Sequence, residues 1–215
     1  DPCRSRGLGD VYKRQITRNV DGDLIGVTTT YFNEESTEVA GIDLDLSYSF
    51  PINKFGDFDI RIVGTNLIKF STPLVESGVS KMQNRVGRFN YDSHMHSLPR
   101  NRINLFFGIN GKNFRHQLNT RYIDSYKNTR AITGLGLTYG YKNKVDSFVV
   151  HDYCLKSSET FTPDFFNGKL NFGFCIININ DESAPQLYDA PDFSFDTRLH
   201  DPRGRMFSIN FNLEL

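Results

Sequence analysis

The C-terminal stretch alternates at every step: Phe207, Ile209, Phe211, Leu213 and Leu215 are apolar, while Ser208, Asn210, Asn212 and Glu214 between them are polar. A period of two places one set on each face of a β-strand. The pattern returns at Lys169 to Ile177, where Leu170, Phe172, Phe174 and Ile176 oppose Asn171, Gly173 and Cys175. It is cleanest at Gly41 to Phe50, with Ile42, Leu44, Leu46, Tyr48 and Phe50 against Asp43, Asp45, Ser47 and Ser49. Asp57 to Phe70 sets Phe58, Ile60 and Ile62 against Asp59, Arg61 and Thr65, and Arg102 to Asn110 carries Ile103, Leu105, Phe107 and Ile109 on one face. Phe114 to Tyr126 opposes Leu118, Thr120 and Tyr122 to the polar row Arg115, Gln117, Asn119 and Arg121. Val145 to Lys156 and Leu24 to Phe32 are weaker strands. The total is about eight strands of about 9 to 14 residues, close to the ~9–11 of tilted membrane strands. Helical periodicity is absent.

Such polar rows are costly to bury in a soluble core. They suit a sheet with one face for lipid and one for water, an antiparallel up-and-down transmembrane β-barrel segment. Connection lengths support that expectation. Short turns at Pro51 to Gly56 and at Gly111-Lys112 alternate with long segments at Ser71 to Pro99, Lys127 to Lys144 and Asn180 to Gly204, with Ser157 to Gly168 intermediate. Short periplasmic turns and long outer loops are the asymmetry of bacterial outer-membrane barrels. Tyr48, Phe50, Phe55, Phe58 and Phe114 fall near one set of strand ends and Tyr122, Tyr126 and Phe207 near the other, where aromatic girdles form.

Composition narrows the classes. The chain has 215 residues with 25 basic and 25 acidic side chains, so a nucleic-acid partner has no global electrostatic support. Hydrophobic residues are 38%, with 19 Phe, 10 Tyr and no Trp. No run approaches the roughly 18–20 apolar residues of a spanning helix, and mean hydropathy is −0.44. That excludes helical membrane proteins and leaves barrels open. Cys3, Cys154 and Cys175 lie far apart with neither a disulfide framework nor metal-ligand spacing, so they read as free thiols or bystanders. Residues 1–15 lack periodicity and are expected to be a non-native or disordered segment, leaving 16–215 for fold reasoning.

Four motifs carry a family resemblance. Asn178-Ile179-Asn180-Asp181-Glu182 with Pro185 resembles the Asn-Leu-Phe-Asp-Glu-x-x-Pro segment at the top of the penultimate strand of TonB-dependent outer-membrane receptors, with Asn180 in place of the aromatic. Asp201-Pro202-Arg203-Gly204-Arg205 resembles the Gly-Arg lead-in to their final strand, Ala40-Gly41-Ile42-Asp43-Leu44 their Gly-Val-Glu-Leu strand opening, and Leu98-Pro99-Arg100-Asn101-Arg102 their Leu-Pro-x-x-Arg start. The likeness spans Leu24 to Leu215. It implies a barrel of about 22 strands, of which this chain supplies about a third, with the plug domain and signal peptide expected upstream of residue 1. The implied function is TonB-coupled active transport of a siderophore, cobalamin, haem or oligosaccharide across the bacterial outer membrane. The implied partners are outer-membrane lipid, the plug and remaining barrel strands, TonB through the plug, and the barrel-assembly machinery. Phe207, Ile209, Phe211, Leu213 and Leu215 resemble the terminal assembly signal, although the family usually ends in Phe rather than Leu. An isolated piece of this kind has two unpaired edges and is not expected to fold alone.

Candidate chemistry is sparse. His94-Met95-His96 with Asp92 has metal-ligand character but supplies half a site, and no metal or other cofactor is assigned. Gly134-Leu135-Gly136 is rejected as a phosphate loop, and His151-Asp152 reads as a strand face rather than a dyad. No catalytic group is assigned, and the chain is read as a non-enzyme. Loop candidates for ligand contact are Arg88, Tyr91, His94, His96 and Arg130. Asp43, Asp45, Arg61, Arg115 and Arg121 are expected to face a lumen or plug. Two other readings use part of the pattern: a complete small eight-stranded outer-membrane barrel acting as channel or anchor, which needs its outermost strands to pair, and a soluble β-sandwich carbohydrate-binding module, which needs two facing apolar layers.

Overall fold

The computed structural model describes residues 16–27, 36–52, 56–76, 79–90, 96–130, 132, 134–158, 169–188 and 193–214. Alternation in sequence becomes pleat in space almost wherever it is strong. In chain order the elements are β1 (Ile16–Arg18), β2 (Leu24–Val27), β3 (Glu38–Pro51), β4 (Asp57–Glu76), β5 (Val79–Asn84), β6 (Arg88–Asn90), β7 (His96–Leu98), β8 (Asn101–Asn110) and β9 (Phe114–Ile123). There follow β10 (Tyr126–Asn128), a four-residue helix α1 (Leu135–Thr138), β11 (Lys144–Val145), β12 (Phe148–Ser157), β13 (Lys169–Ile177) and β14 (Met206–Glu214). The protein is all-β with antiparallel sheets, and it divides into two compact units, Asp1–Val39 with Lys69–Arg85 and Ala40–Ile68 with Val86–Leu215.

In the smaller unit, β1 pairs with β2 as a hairpin and the outer part of β4, Ser71 to Glu76, pairs with β5. Buried Arg85 donates from Nε to Thr72 Oγ1 at 3.0 Å, and Lys69 pairs with Glu38.

The larger unit is organised by a meander whose long strands run β3-β4-β8-β9-β12-β13-β14, an open sheet that does not close into a barrel. Register sorts its side chains. Arg121, Asn119, Gln117 and Arg115 of β9 stand opposite Asn104, Phe106, Gly108 and Asn110 of β8 and opposite Val150, Asp152, Cys154 and Lys156 of β12. Cys175 and Gly173 of β13 then face Ser208 and Asn210 of β14. On the other face, Ile62, Leu105 and Thr120 align across β4, β8 and β9, while Phe172 meets Phe211 and Phe174 meets Ile209. One face is therefore wet and the other apolar, and a one-residue slip anywhere would exchange them. The apolar face is uncovered: Leu44 is 45% exposed, Ile209 61% and Phe211 73%.

Aromatic rings link strand to strand along the end of this face that carries the short turns. Phe50 contacts Phe58 at 5.1 Å, Phe58 contacts Phe107 at 6.4 Å, and Phe114 contacts Phe172 at 6.0 Å. Gly56 closes the β3–β4 turn at φ 105°, where an added Cβ would lie 1.9 Å from the Asn110 carbonyl oxygen. No side chain fits there.

At the opposite end the three long connections fold together. β6, β7, β10 and β11 form a small sheet in the order β11-β10-β6-β7, over a core of Phe89, Tyr126, Val145 and Leu187. This cap corrects several expectations. The long segments contain strands too short to show a period. Tyr126 belongs to no girdle, being 2% exposed in that core. The strand expected from Phe114 to Tyr126 breaks after Ile123, because the Asp124 carboxylate draws in Asn101, Tyr122 and the Ser125 amide. β4 runs on to Glu76 because β5 supplies a partner. Leu24–Val27 pairs with β1 rather than extending the meander, and the rest of that expected strand, like Phe55, lies outside the described residues. Finally, Cys154 and Cys175 are not free thiols. They stand opposite each other on β12 and β13, with Cα atoms 4.1 Å apart, and form a disulfide across a sequence separation of 21.

Candidate binding site

Two polar regions could meet a ligand: the wet face of the meander and the cap. On the wet face, short hydroxyl and carboxylate side chains of β3 reach their neighbours on β4. Ser49 Oγ donates to Asp59 at 2.6 Å, Arg61 binds Asp45 through two hydrogen bonds of 3.0 and 2.7 Å, and Thr65 Oγ1 donates to Asp43 at 2.7 Å. Asn110 donates to Asp59 and Arg115 donates to Asn110, so one hydrogen-bonded chain crosses β3, β4, β8 and β9. Arg121 meets Asp152 of β12 at 3.3 Å. Exposed pairs of this kind are screened by water and add little to stability. They hold charged groups in place without making a strong site. Asp43, Asp45, Arg61, Arg115 and Arg121 thus share one face, where their cross-strand pairing accounts for them.

His151 and Asp152 point to opposite faces, as successive strand residues must. His151 Nδ1 lies 2.8 Å from Thr120 Oγ1 on the apolar side, whereas Asp152 turns to Arg121. They form no dyad.

The Asn178 to Glu182 motif is a backbone clamp. Asn178, at φ 57°, is 3% exposed. Its amide nitrogen Nδ2 donates to the carbonyls of Glu182 and Arg203, its Oδ1 accepts from the Glu182 amide, and its own amide donates to Asp152. Asp181 Oδ1 accepts the Arg205 amide, and Arg205 Nε donates to the Ile179 carbonyl. An added Cβ at Gly204 would lie 2.8 Å from Asp181 Oδ1. The motif therefore joins the top of β13 to the start of β14 through Asn178 and Asp181, while Asn180 binds the Val149 carbonyl and the His151 amide of β12.

In the cap, Asp196 and His200 come from the third long connection. Asp196 accepts the amides of Ser97 and Arg198, and the His200 amide returns to the Asp196 carbonyl at 3.0 Å. The His200 ring stacks on Tyr126, meets Phe148 edge-on at 5.1 Å, and places Nε2 3.1 Å from the Tyr126 hydroxyl. Burial pushes His200 down to about 4, with Asp196 opposing and Arg102 reinforcing the fall. Burial likewise pushes the Tyr126 hydroxyl up to about 12. Both groups are neutral near pH 7, and they lock the cap rather than perform acid–base chemistry on a substrate.

Of the loop candidates, Arg88 begins β6, and Arg130 is exposed just beyond β10 with its amide on Asn128 Oδ1. Tyr91 and His94 lie outside the described residues, as does Leu215, and only the backbone of His96 is described. Among the described residues no group of three or more His, Cys, Asp or Glu could hold a metal ion. Phe207, Ile209, Phe211 and Leu213 all lie exposed on the apolar face of β14. Sequence reasoning missed Lys127 and Lys144, which stand in register beside one another and beside Arg88. Pairing between strands of two or three residues leaves no sequence period to find. Compared with protein-family models, curated proteins and solved structures, the chain matches none.

Proposed function

We propose that the chain is the C-terminal part of a TonB-dependent outer-membrane receptor barrel, its apolar face against lipid and its wet face toward a water-filled or plug-filled lumen. The observation that carries this reading is a single meander with an apolar face, exposed on β3 and β14 and half-exposed on the central strands, opposite a mainly polar one. An uncovered surface of that extent is unfavourable in water and is relieved by lipid. Three further features support it. Long and short connections alternate, and the long ones gather in one cap. The aromatic band lies at the short-turn end, where an interfacial girdle belongs. The disulfide suits an oxidising compartment, as for a protein that folds outside the cytoplasm. The transported ligand would be a siderophore, cobalamin, haem or oligosaccharide, as the motif resemblance implies.

The small complete barrel needs its outermost strands to pair, whereas β3 and β14 stand at opposite edges of the sheet. A soluble sandwich needs a second layer over the apolar face, and the described residues supply none. The test uses the absence of Trp from the chain. A single Trp placed at Leu105 should be quenched by brominated phosphatidylcholine in reconstituted vesicles, and one placed at neighbouring Asn104 should not. Equal quenching at both, or a chain that stays monomeric and folded in water without detergent, would sink the membrane reading. A plug domain encoded directly upstream of residue 1 separates the receptor from the small barrel, for which a signal peptide stands in that place.

A further inference from the structure

Three cations stand side by side on the outer face of the cap. β10 is shared between β11, antiparallel, and β6, parallel, and the register sets Lys127 opposite both Lys144 and Arg88. Alternation fixes their direction. Tyr126 and Asn128 are buried, so Lys127 between them is exposed; Lys144 is exposed beside buried Val145, and Arg88 is half-buried beside buried Phe89. Neighbouring strands lie about 4.8 Å apart, so the row spans about 10 Å. Like charges directly opposite one another destabilise a sheet, and among the described residues none of these three side chains has an ion pair or a hydrogen bond. Among the described residues, two acids near in sequence, Asp124 and Asp146, do not neutralise them. Asp124 is held by Asn101, Tyr122 and Ser125, and exposed Asp146, two residues past Lys144, pairs with none of the row. A chain of zero formal net charge thus concentrates at one place positive charge that no described residue pairs.

We infer that this row is a binding site for a polyanion, a ligand carrying two or more phosphate or carboxylate groups. The ligand is either a soluble molecule or the headgroups of an anionic lipid surface. Arg88 offers a planar fork suited to two oxygens of one group, and the two lysines act as point charges for its neighbours. The inference stands on strand register and is independent of the membrane reading.

The experiment compares the full chain with variants, using inorganic tripolyphosphate as the soluble probe and flotation with phosphatidylcholine vesicles, with and without phosphatidylglycerol, as the lipid probe. Tripolyphosphate binding should weaken with added salt and fall about tenfold in Lys127→Gln. It should vanish in the triple variant Arg88→Gln/Lys127→Gln/Lys144→Gln. Lys112→Gln, an exposed cation in the β8–β9 turn, should leave binding unchanged. Tripolyphosphate binding lost in the triple variant assigns a soluble ligand. A phosphatidylglycerol-dependent flotation lost in that variant, without tripolyphosphate binding, assigns lipid headgroups. A triple variant that behaves like the parent toward both probes, or a parent that binds neither, overturns the site.

Discussion

His200 ties the cap to pH. Its pKa falls from an ordinary 6.5 to about 4 in the folded protein, so the folded state binds fewer protons than the unfolded one between those values. Its contribution is complete above pH 6.5 and is lost as pH falls toward 4, a total of about 3 kcal/mol. Asp196 and Arg102 act on the ring by charge, and Tyr126 stacks on it. We expect the opening free energy at Tyr126 to Asn128, read from amide exchange after correction for its intrinsic pH dependence, to fall between pH 7 and 5, and His200→Phe to abolish the fall; an unchanged profile in the variant would assign the effect elsewhere. Asn178 works on geometry instead. Asn178→Ala should cost about 2–3 kcal/mol in urea unfolding, because it strands the Glu182 amide and strains a positive φ. Asn178→Gly relieves the strain and should recover part of that loss. The motif containing Asn178 was visible in the sequence, but its work as a backbone clamp was not. His200 gave no signal at all, since a lone His in a long connection looks the same whether it is solvated or buried.

At the scale of elements, the strong period-two stretches were legible and the weak ones were not. β13 and β14 begin and run where alternation places them because each is defined by its two faces. β4 exceeded its pattern because a hairpin partner, β5, stabilises residues whose own alternation has faded. The cap strands were invisible because two or three residues cannot establish a period, and their parallel pairing joins segments far apart in the chain. The cysteines were misread for a related reason: spacing in sequence says nothing of opposition across β12 and β13, which only register supplies. Closing a loop of 21 residues contributes about 3 kcal/mol in the chain-entropy account. Cys154→Ser/Cys175→Ser should therefore lower the urea midpoint of the reconstituted protein, and adding a reductant to the parent should reproduce that shift. A parent insensitive to reductant would show that the bridge does not form.

For the whole molecule, the division into a wet and an apolar face sets the largest expected asymmetry. On the proposed membrane reading, Leu105→Arg should cost about 2–4 kcal/mol in vesicles, whereas Asn104→Arg, one residue away on the other face, should cost little. Urea unfolding in phosphatidylcholine vesicles measures both, and comparable losses would mean that neither face meets lipid. The two-faced architecture and the parity of the connections were readable from sequence because each rests on local pattern. The cap was not, since it depends on contacts such as the Ser97 amide with Asp196, 99 residues apart. That cap has a consequence for how such a protein changes over generations. Long connections are usually free to diverge one by one, yet here Phe89, Tyr126, Val145 and Leu187 bring three of them into one shared core. A change in any one of these connections alters the packing of the other two, so substitutions should accumulate in all three together, while the short turns at the far end drift independently.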